Sequence, residues 1–438
     1  MYYPRQIDEE LKEWKSDSER KPLLIRGARQ VGKTESVREF SKSFEVFIEL
    51  NFETDKRVCA AFSGSLDPYE ICENISLLFG ISIVEGNTLL FLDEIQSCIP
   101  AIQSLRFFYE KMAGLHVIAA GSLLEFALKE IPSFGVGRIR SIFMYPMSFN
   151  EFLIAAEEET LLNRKRQAGP ELPLPEILHD KLTSYLKRFL ITGGLPEVVS
   201  LYIQHKDFNK CMRAINDFNV SVNDDFSKYS KRIPVSLIRE VFDSVVMQSG
   251  RKFIYSKATR NANHSQIKEA LDLLVLAGMV LPVKHTSGNG IPLGAEVNLK
   301  KQKMLLHDTG VFQRILNLDV ADIAFSQDFN VINRGNIAEQ FTGIEMLKYA
   351  SVYDRPNLYY WQREAKNSNA EIDYLITRKD KIFPLEVKAG TKGAMQSLFL
   401  FLKEKSLNKG IRVSLENFSN YSNIEVYPLY AIENLISG

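Results

Sequence analysis

Leu23-Leu24-Ile25-Arg26-Gly27-Ala28-Arg29-Gln30-Val31-Gly32-Lys33-Thr34 decides the reading of this chain. The three leading apolar residues make a short buried strand. Residues 27–34 then fit G-x-x-x-x-G-K-[ST], and a helical stretch opens where the pattern ends. Glycines let the main chain curl so that successive N–H groups point inward at phosphate oxygens. The helix N-terminus adds partial positive charge. Lys33 would reach the β- and γ-phosphates, and Thr34 would offer its hydroxyl to Mg²⁺. Gly27, Ala28, Arg29, Gln30, Val31, Gly32, Lys33 and Thr34 are therefore candidates for holding a nucleotide.

Outward from this loop, short apolar runs recur at 46–50, 89–92, 117–120 and 139–145, with helical stretches between them. Near-continuous apolar strands separated by helices predict an α/β domain with a parallel sheet covered on both faces. The run Leu89-Leu90-Phe91-Leu92 ends in Asp93-Glu94. A buried strand has little reason to end in two carboxylates unless something cationic or wet lies there. Asp93 would hold Mg²⁺ through water, and Glu94 would act as general base on an attacking water. The next strand ends in Gly121-Ser122, which puts Ser122 in position to sense the γ-phosphate or to cap the following helix. Arg138, just before the fifth strand, is a candidate for stabilising transition-state charge, with a solvated strand-edge charge as the plainer reading.

The chain has 438 residues, with 54 Lys+Arg against 54 Asp+Glu, a hydrophobic fraction of 45% and a charged fraction of 25%. That composition excludes a disordered chain, and zero net charge excludes a whole-chain basic field for nucleic acid. The cysteines at 59, 72, 98 and 211 form no C-x-x-C pair and lack a histidine at metal-ligand spacing. They predict neither a zinc site nor a disulfide framework, and fit a reducing compartment. No apolar leader is visible at the N-terminus, and the longest apolar stretch, near 271–283, is too short for a bilayer. The expectation is a cytoplasmic protein with no membrane partner.

Beyond the sheet, residues 148–226 read as helical, except that 157–180 carries Glu157-Glu158-Glu159, Arg164-Lys165-Arg166 and prolines at 170, 173 and 175, and reads as a solvated loop. Residues 233–299 read as two helical stretches and a strand-turn-strand around Ser287-Gly288-Asn289-Gly290, in the order of a winged helix-turn-helix. Ser265 is the expected cap of its second helix. Residues 251–301 hold eight lysines and arginines against three acids. Asn261, Asn263, His264 and Gln266 could there reach bases or phosphates, which makes DNA a candidate partner. From about 304 the pattern is α+β, with a helix over 331–349 and strands at 358–361, 370–376 and 382–387.

These residues together resemble a family. The loop at 24–34, Leu92-Asp93-Glu94-Ile95-Gln96, Gly121-Ser122, Gly137-Arg138, Pro146-Met147-Ser148-Phe149, Gly193-Gly194-Leu195-Pro196-Glu197, His307-Asp308-Thr309-Gly310 and Leu385-Glu386-Val387-Lys388 resemble the prokaryotic AAA family ATPases. Those ATPases carry an uncharacterised, nuclease-like C-terminal region. The resemblance implies ATP and Mg²⁺ as ligands, an ATPase reaction, and a sheet of order 5-1-4-3-2. It also implies a helical lid, a winged helix and a restriction-endonuclease-like α+β domain. The corresponding division is 1–147, 148–230, 231–303 and 304–438. Where a second serine often follows Gly-Ser in the family, this chain has Leu123. A homo-oligomer, with Arg138 acting in cis or in trans, belongs to the same expectation.

The C-terminal third also resembles the PD-(D/E)XK nucleases in its helix-strand-strand order, with Ile372 in place of the proline. Residues two apart on a strand share a face, so Glu386 and Lys388 point the same way. Asp373 and Glu386 could hold a second divalent metal, with Glu339 completing the shell and Lys388 serving an attacking water. Two readings stand: an ATPase coupled to a nuclease-like or DNA-binding module, or a nucleotide-gated DNA- or protein-binding switch whose nuclease-like domain is inactive.

Overall fold

Five apolar runs form the first sheet, as their alternation with helices predicts. In the computed structural model, which describes residues 2–131, 135, 137–229, 233–317, 334–364, 369–391 and 393–437, they are β1 (Leu23–Arg26), β2 (Val46–Asn51), β3 (Thr88–Asp93), β4 (His116–Ala120) and β5 (Arg140–Phe143). All pair in parallel, in the order β2-β3-β4-β1-β5, which is the expected order read from the other edge. The fold is that of a P-loop NTPase. Side chains alternate across the sheet with period two. Leu90 and Leu92 enter the core beneath one face with Phe62, Ile71 and Leu105, while Leu89 and Phe91 enter the other with Trp14, Ile25 and Ile118. Helix α1 (Gln6–Ser16), in the acidic N-terminal stretch, supplies Ile7, Leu11 and Trp14 at i, i+4 and i+7 to that second core.

One expectation about cysteine fails here. Cys59 and Cys98 are joined in a disulfide, while Cys72 and Cys211 are free and buried. The pairing comes from tertiary approach of the turn Val58–Phe62 to the residue that opens α4 (Ile99–Lys111). A sequence separation of 39 gives no local sign of it.

The chain divides into two compact units. The first holds residues 1–145 with 276–278 and 351–355, and the second holds the rest. In the second unit the helices expected as a lid pack against the helix Arg334–Lys348 and the turn Leu429–Ala431 of the C-terminal part. The backbone N–H of Phe149 donates to Glu345 at 2.9 Å, and His179 meets the Tyr430 hydroxyl at 2.8 Å. The stretch read as a loop is largely a helix, α7 (Glu159–Gln167), so the loop shrinks to 168–175. Leu161 and Leu162 are buried, and Lys165, fully buried, pairs with Glu433 at 3.0 Å. The charge run hid a helical face, and the prolines all lie past its end.

Helices α11 (Val235–Met247) and α12 (His264–Leu276) lead into β6 (Val280–Thr286) and β7 (Val297–Leu306). The cap of α12 is Asn263, not Ser265: Asn263 and Gln266 exchange side-chain-to-backbone hydrogen bonds of 3.0 and 3.1 Å. The β6–β7 pair is no free wing. It continues through β6–β8 pairing into an eight-stranded mixed sheet with β8 (Leu358–Gln362), β9 (Glu371–Arg378), β10 (Lys381–Val387), β11 (Gly410–Ser414), β12 (Ser419–Tyr421) and β13 (Ile424–Pro428). A lone two-stranded ribbon is marginal in water, and joining the larger sheet pairs its open edge. A boundary at 303/304 therefore cuts through β7. The expected helix over 331–349 is Arg334–Lys348, with 331–333 outside the described residues.

Two motif segments meet inside the second unit. Asp308 is almost fully buried; one carboxylate oxygen accepts from Val311 N at 3.0 Å, capping α13 (Thr309–Ile315), and the other accepts from Gly194 N at 2.6 Å. Gly194 admits no side chain, because a Cβ would sit 2.1 Å from the carbonyl oxygen of Met147. Asp308→Ala removes a cap and strands a buried N–H, which should cost about 2–3 kcal/mol. Denaturant unfolding should show that loss, with Asp308→Asn retaining more of the stability.

Candidate nucleotide-binding site

The loop after β1 curls as its glycines require. Gly27 has φ +153°, Gln30 +57° and Gly32 +97° before α2 (Lys33–Ser41) begins. A Cβ on Gly27 would lie 2.1 Å from the carbonyl oxygen of Met144, so that residue must be glycine on space as well as on dihedral angle. Arg5 holds the loop from behind, donating to the carbonyls of Val31 at 2.9 Å and Tyr145 at 2.8 Å. Lys33 is buried and folds over its own loop, donating to the carbonyls of Gly27 at 3.0 Å and Ala28 at 2.8 Å. Burial pulls its ammonium down to about 8, against the upward pull of Glu94 and Asp93. The oxygens to which the ammonium donates are both carbonyls of its own loop.

At the tip of β3 the acidic pair meets the loop. The Thr34 hydroxyl lies 3.3 Å from both oxygens of the Asp93 carboxylate. Asn51, at the end of the neighbouring strand, donates to the same carboxylate at 3.2 Å, and the N–H of Glu94 donates at 3.1 Å. Burial and the Glu94 charge push Asp93 up to about 6. A carboxylate so placed lacks a cation, and a hydroxyl beside it is an oxygen donor set that suits Mg²⁺. Glu94 has φ +50° and turns its side chain toward β4's end. Gln96 donates to it at 2.6 Å, and the Ser122 hydroxyl lies 3.3 Å from the same oxygen. Gly121 makes room for Gln96, whose amide oxygen would lie 2.0 Å from a Cβ there. Ser122 makes no side-chain cap to α5 (Leu124–Glu130).

Thus Lys33, Thr34, Asp93, Glu94 and Ser122 come together, on the carboxyl ends of β1, β3 and β4. Arg138 stands in a turn and forms an ion pair with Glu110. Sequence reasoning gave no role to Asn51, Gln96 or Arg5. Asn51 and Gln96 each lie just past an apolar strand, where a polar amide is a usable signal. Nothing local marks Arg5.

The chain matches three family models. Residues 19–153 match the AAA domain, residues 183–322 a domain of unknown function (DUF8612), and residues 334–432 another (DUF4143). Similar solved structures include the Walker-type ATPase of Pyrococcus abyssi (15% identity, 72% of this chain and 96% of that one, TM-score 0.46). The Aeropyrum pernix ORC1 protein, solved in complex with DNA, is also similar (13%, 72% and 93%, 0.29). No curated protein matches the chain. No described helix is long and apolar enough to cross a membrane.

The residues expected as a nuclease site also converge, within the second unit, but around a lysine. Lys303 of β7 lies 2.7 Å from Glu339, 2.5 Å from Glu371 and 3.8 Å from Asp373. Asp373 also accepts from Val387 N at 2.8 Å, and Lys388 donates to Glu386 at 2.6 Å. Among the described residues no three acidic, histidine or cysteine side chains are placed to hold a metal. The cluster does not fit the expected second divalent ion. Lys303 and Glu371 were missed, although Glu371 stands two residues before Asp373 on one strand face and Lys303 heads the apolar run Met304-Leu305-Leu306.

The buried Asp93 at the tip of β3 carries a pH signature. Its raised value means the folded state holds the proton more tightly than the unfolded chain, so its contribution to stability falls as pH rises from about 4 to 6. The stability of wild type relative to Asp93→Asn should therefore decline across that window in nucleotide-free melts.

Proposed function

We propose that the AAA domain binds ATP with Mg²⁺ and hydrolyses it, and that its nucleotide state governs the second unit as a DNA- or protein-binding module. The observation that carries this reading is the carboxylate pair Asp93-Glu94 at the tip of β3, with Asp93 against Thr34. Lys33 would exchange its carbonyl partners for β- and γ-phosphate oxygens, and the N–H groups of residues 28–34 would surround the phosphates. Thr34 and Asp93 would hold Mg²⁺, which when bound neutralises phosphate charge. Glu94 would accept the proton of the attacking water, oriented by Gln96 and by Ser122.

The alternative is a switch that binds ATP and does not turn it over. What favours hydrolysis is a second carboxylate held beside Asp93 by donors from Gln96 and Ser122, which binding alone would not need. The basic stretch 251–301 supports DNA as a partner, although Asn263 and Gln266 are engaged as a helix cap.

Purified protein separates these readings. Lys33→Ala should lose ATP binding, whereas Glu94→Gln should keep binding and lose turnover by about 10²–10⁴-fold. Turnover by Glu94→Gln at the wild-type rate would reject Glu94 as the base. Stimulation of wild-type turnover by DNA should appear at low salt and fade as salt rises.

A further inference from the structure

The second unit gathers four carboxylates, those of Glu339, Glu371, Asp373 and Glu386, around the strand ends of β7, β9 and β10. Such a gathering is unstable without positive charge among it. Two side chains supply it, Lys303 and Lys388, and they differ in kind. Lys388 is a quarter exposed and pairs with Glu386 alone. Lys303 has no exposed side-chain surface and stands within ion-pair distance of three carboxylates. Burial works against its charge, but Glu339, Asp373 and Glu371 together outweigh burial and hold the ammonium well above the ordinary lysine range. It is therefore a permanent cation.

Nor is this side chain free to step aside. Its residue is paired with Val283 in the β6–β7 ladder, and its ammonium lies 5.2 Å from the centre of the Tyr360 ring, itself fully buried. Glu339 is fixed in turn, because the hydroxyl of Tyr374 donates to its backbone carbonyl at 2.8 Å. The carboxylates belong to the segment 334–432, while Lys303 belongs to 183–322. The ammonium thus reaches the carboxylates from a strand contributed by a different part of the chain.

We infer that the Lys303 ammonium is the resident cation of this cluster, taking the place and the charge-neutralising role of a divalent metal, so that the site holds together without one. The second unit then has the residues of a metal-dependent phosphodiesterase site without its metal. What remains is a fixed scaffold in which two ammonium groups offset part of the charge of four carboxylates. One carboxylate oxygen, Glu386 Oε2, is buried and unpartnered.

Mn²⁺ titration of the nucleotide-free full chain, read by the electron paramagnetic resonance of the free ion, tests this. Wild type should show no site that Asp373→Asn removes. Lys303→Met should gain one, with affinity at least about ten-fold tighter than wild type. Mn²⁺ should also raise the melting temperature of Lys303→Met by more than it raises that of wild type. Lys303→Met/Glu371→Gln, which removes one charge of each sign, serves if the single variant does not fold. A wild-type Mn²⁺ site lost in Asp373→Asn would overturn the inference, and so would a folded Lys303 variant that gains no site.

Discussion

A buried ammonium must find negative charge or dipoles, and the two halves of this chain meet that demand in opposite ways. Lys33 donates to the carbonyls of its own loop, and Glu94 and Asp93 act on its charge without an ion pair to it among the described residues. Burial depresses it in spite of the nearby carboxylates. Lys303 is given three carboxylates. It is raised instead of lowered, and nothing is left for a ligand to complete. Two lysines of similar burial are thus shifted in opposite directions, and the difference lies in the neighbours.

The same logic, with signs reversed, applies to Asp93. A carboxylate buried at a strand tip and pushed upward is short of a cation. It is tolerated because Thr34, Asn51 and a backbone N–H hold it in place. The parallel sheet makes this economical. The loop, Asp93 and Ser122 all sit at carboxyl ends of adjacent strands, where ligand sites lie in open α/β sheets. The price is strain at Gln30 and Glu94, both at positive φ.

How much was legible follows from how local each signal is. Residues 27–34 are contiguous, and their spacing prescribes their own conformation, so the loop, its strand and its helix could be read directly. The sheet followed from the apolar runs that flank it. The unread features were nonlocal. Arg5 reaches Val31 and Tyr145 across 26 and 140 residues, and Cys59 meets Cys98 through packing. The helix Glu159–Gln167 was obscured because charge dominates its sequence, while its buried side holds two leucines and a lysine whose partner lies near the far end of the chain. The wing was misread because β6 and β7 have the right order for one; only the pairing with β8 shows otherwise.

That last pairing has consequences for the cluster around Lys303. If β6 and β7 were an independent hairpin, Lys303 would be a surface charge on an edge strand, solvated and of little energetic weight. Joined to β8, the hairpin brings residue 303 to the level of Glu371 on β9 and under the helix that carries Glu339. The sheet edge thus decides the electrostatics, since a strand that extends the sheet also delivers the positive charge its acidic neighbours require. A variant that loosened β6 from β8 would unpair the strands and uncover the carboxylates together, which ties the shape of this unit to the charge at its centre.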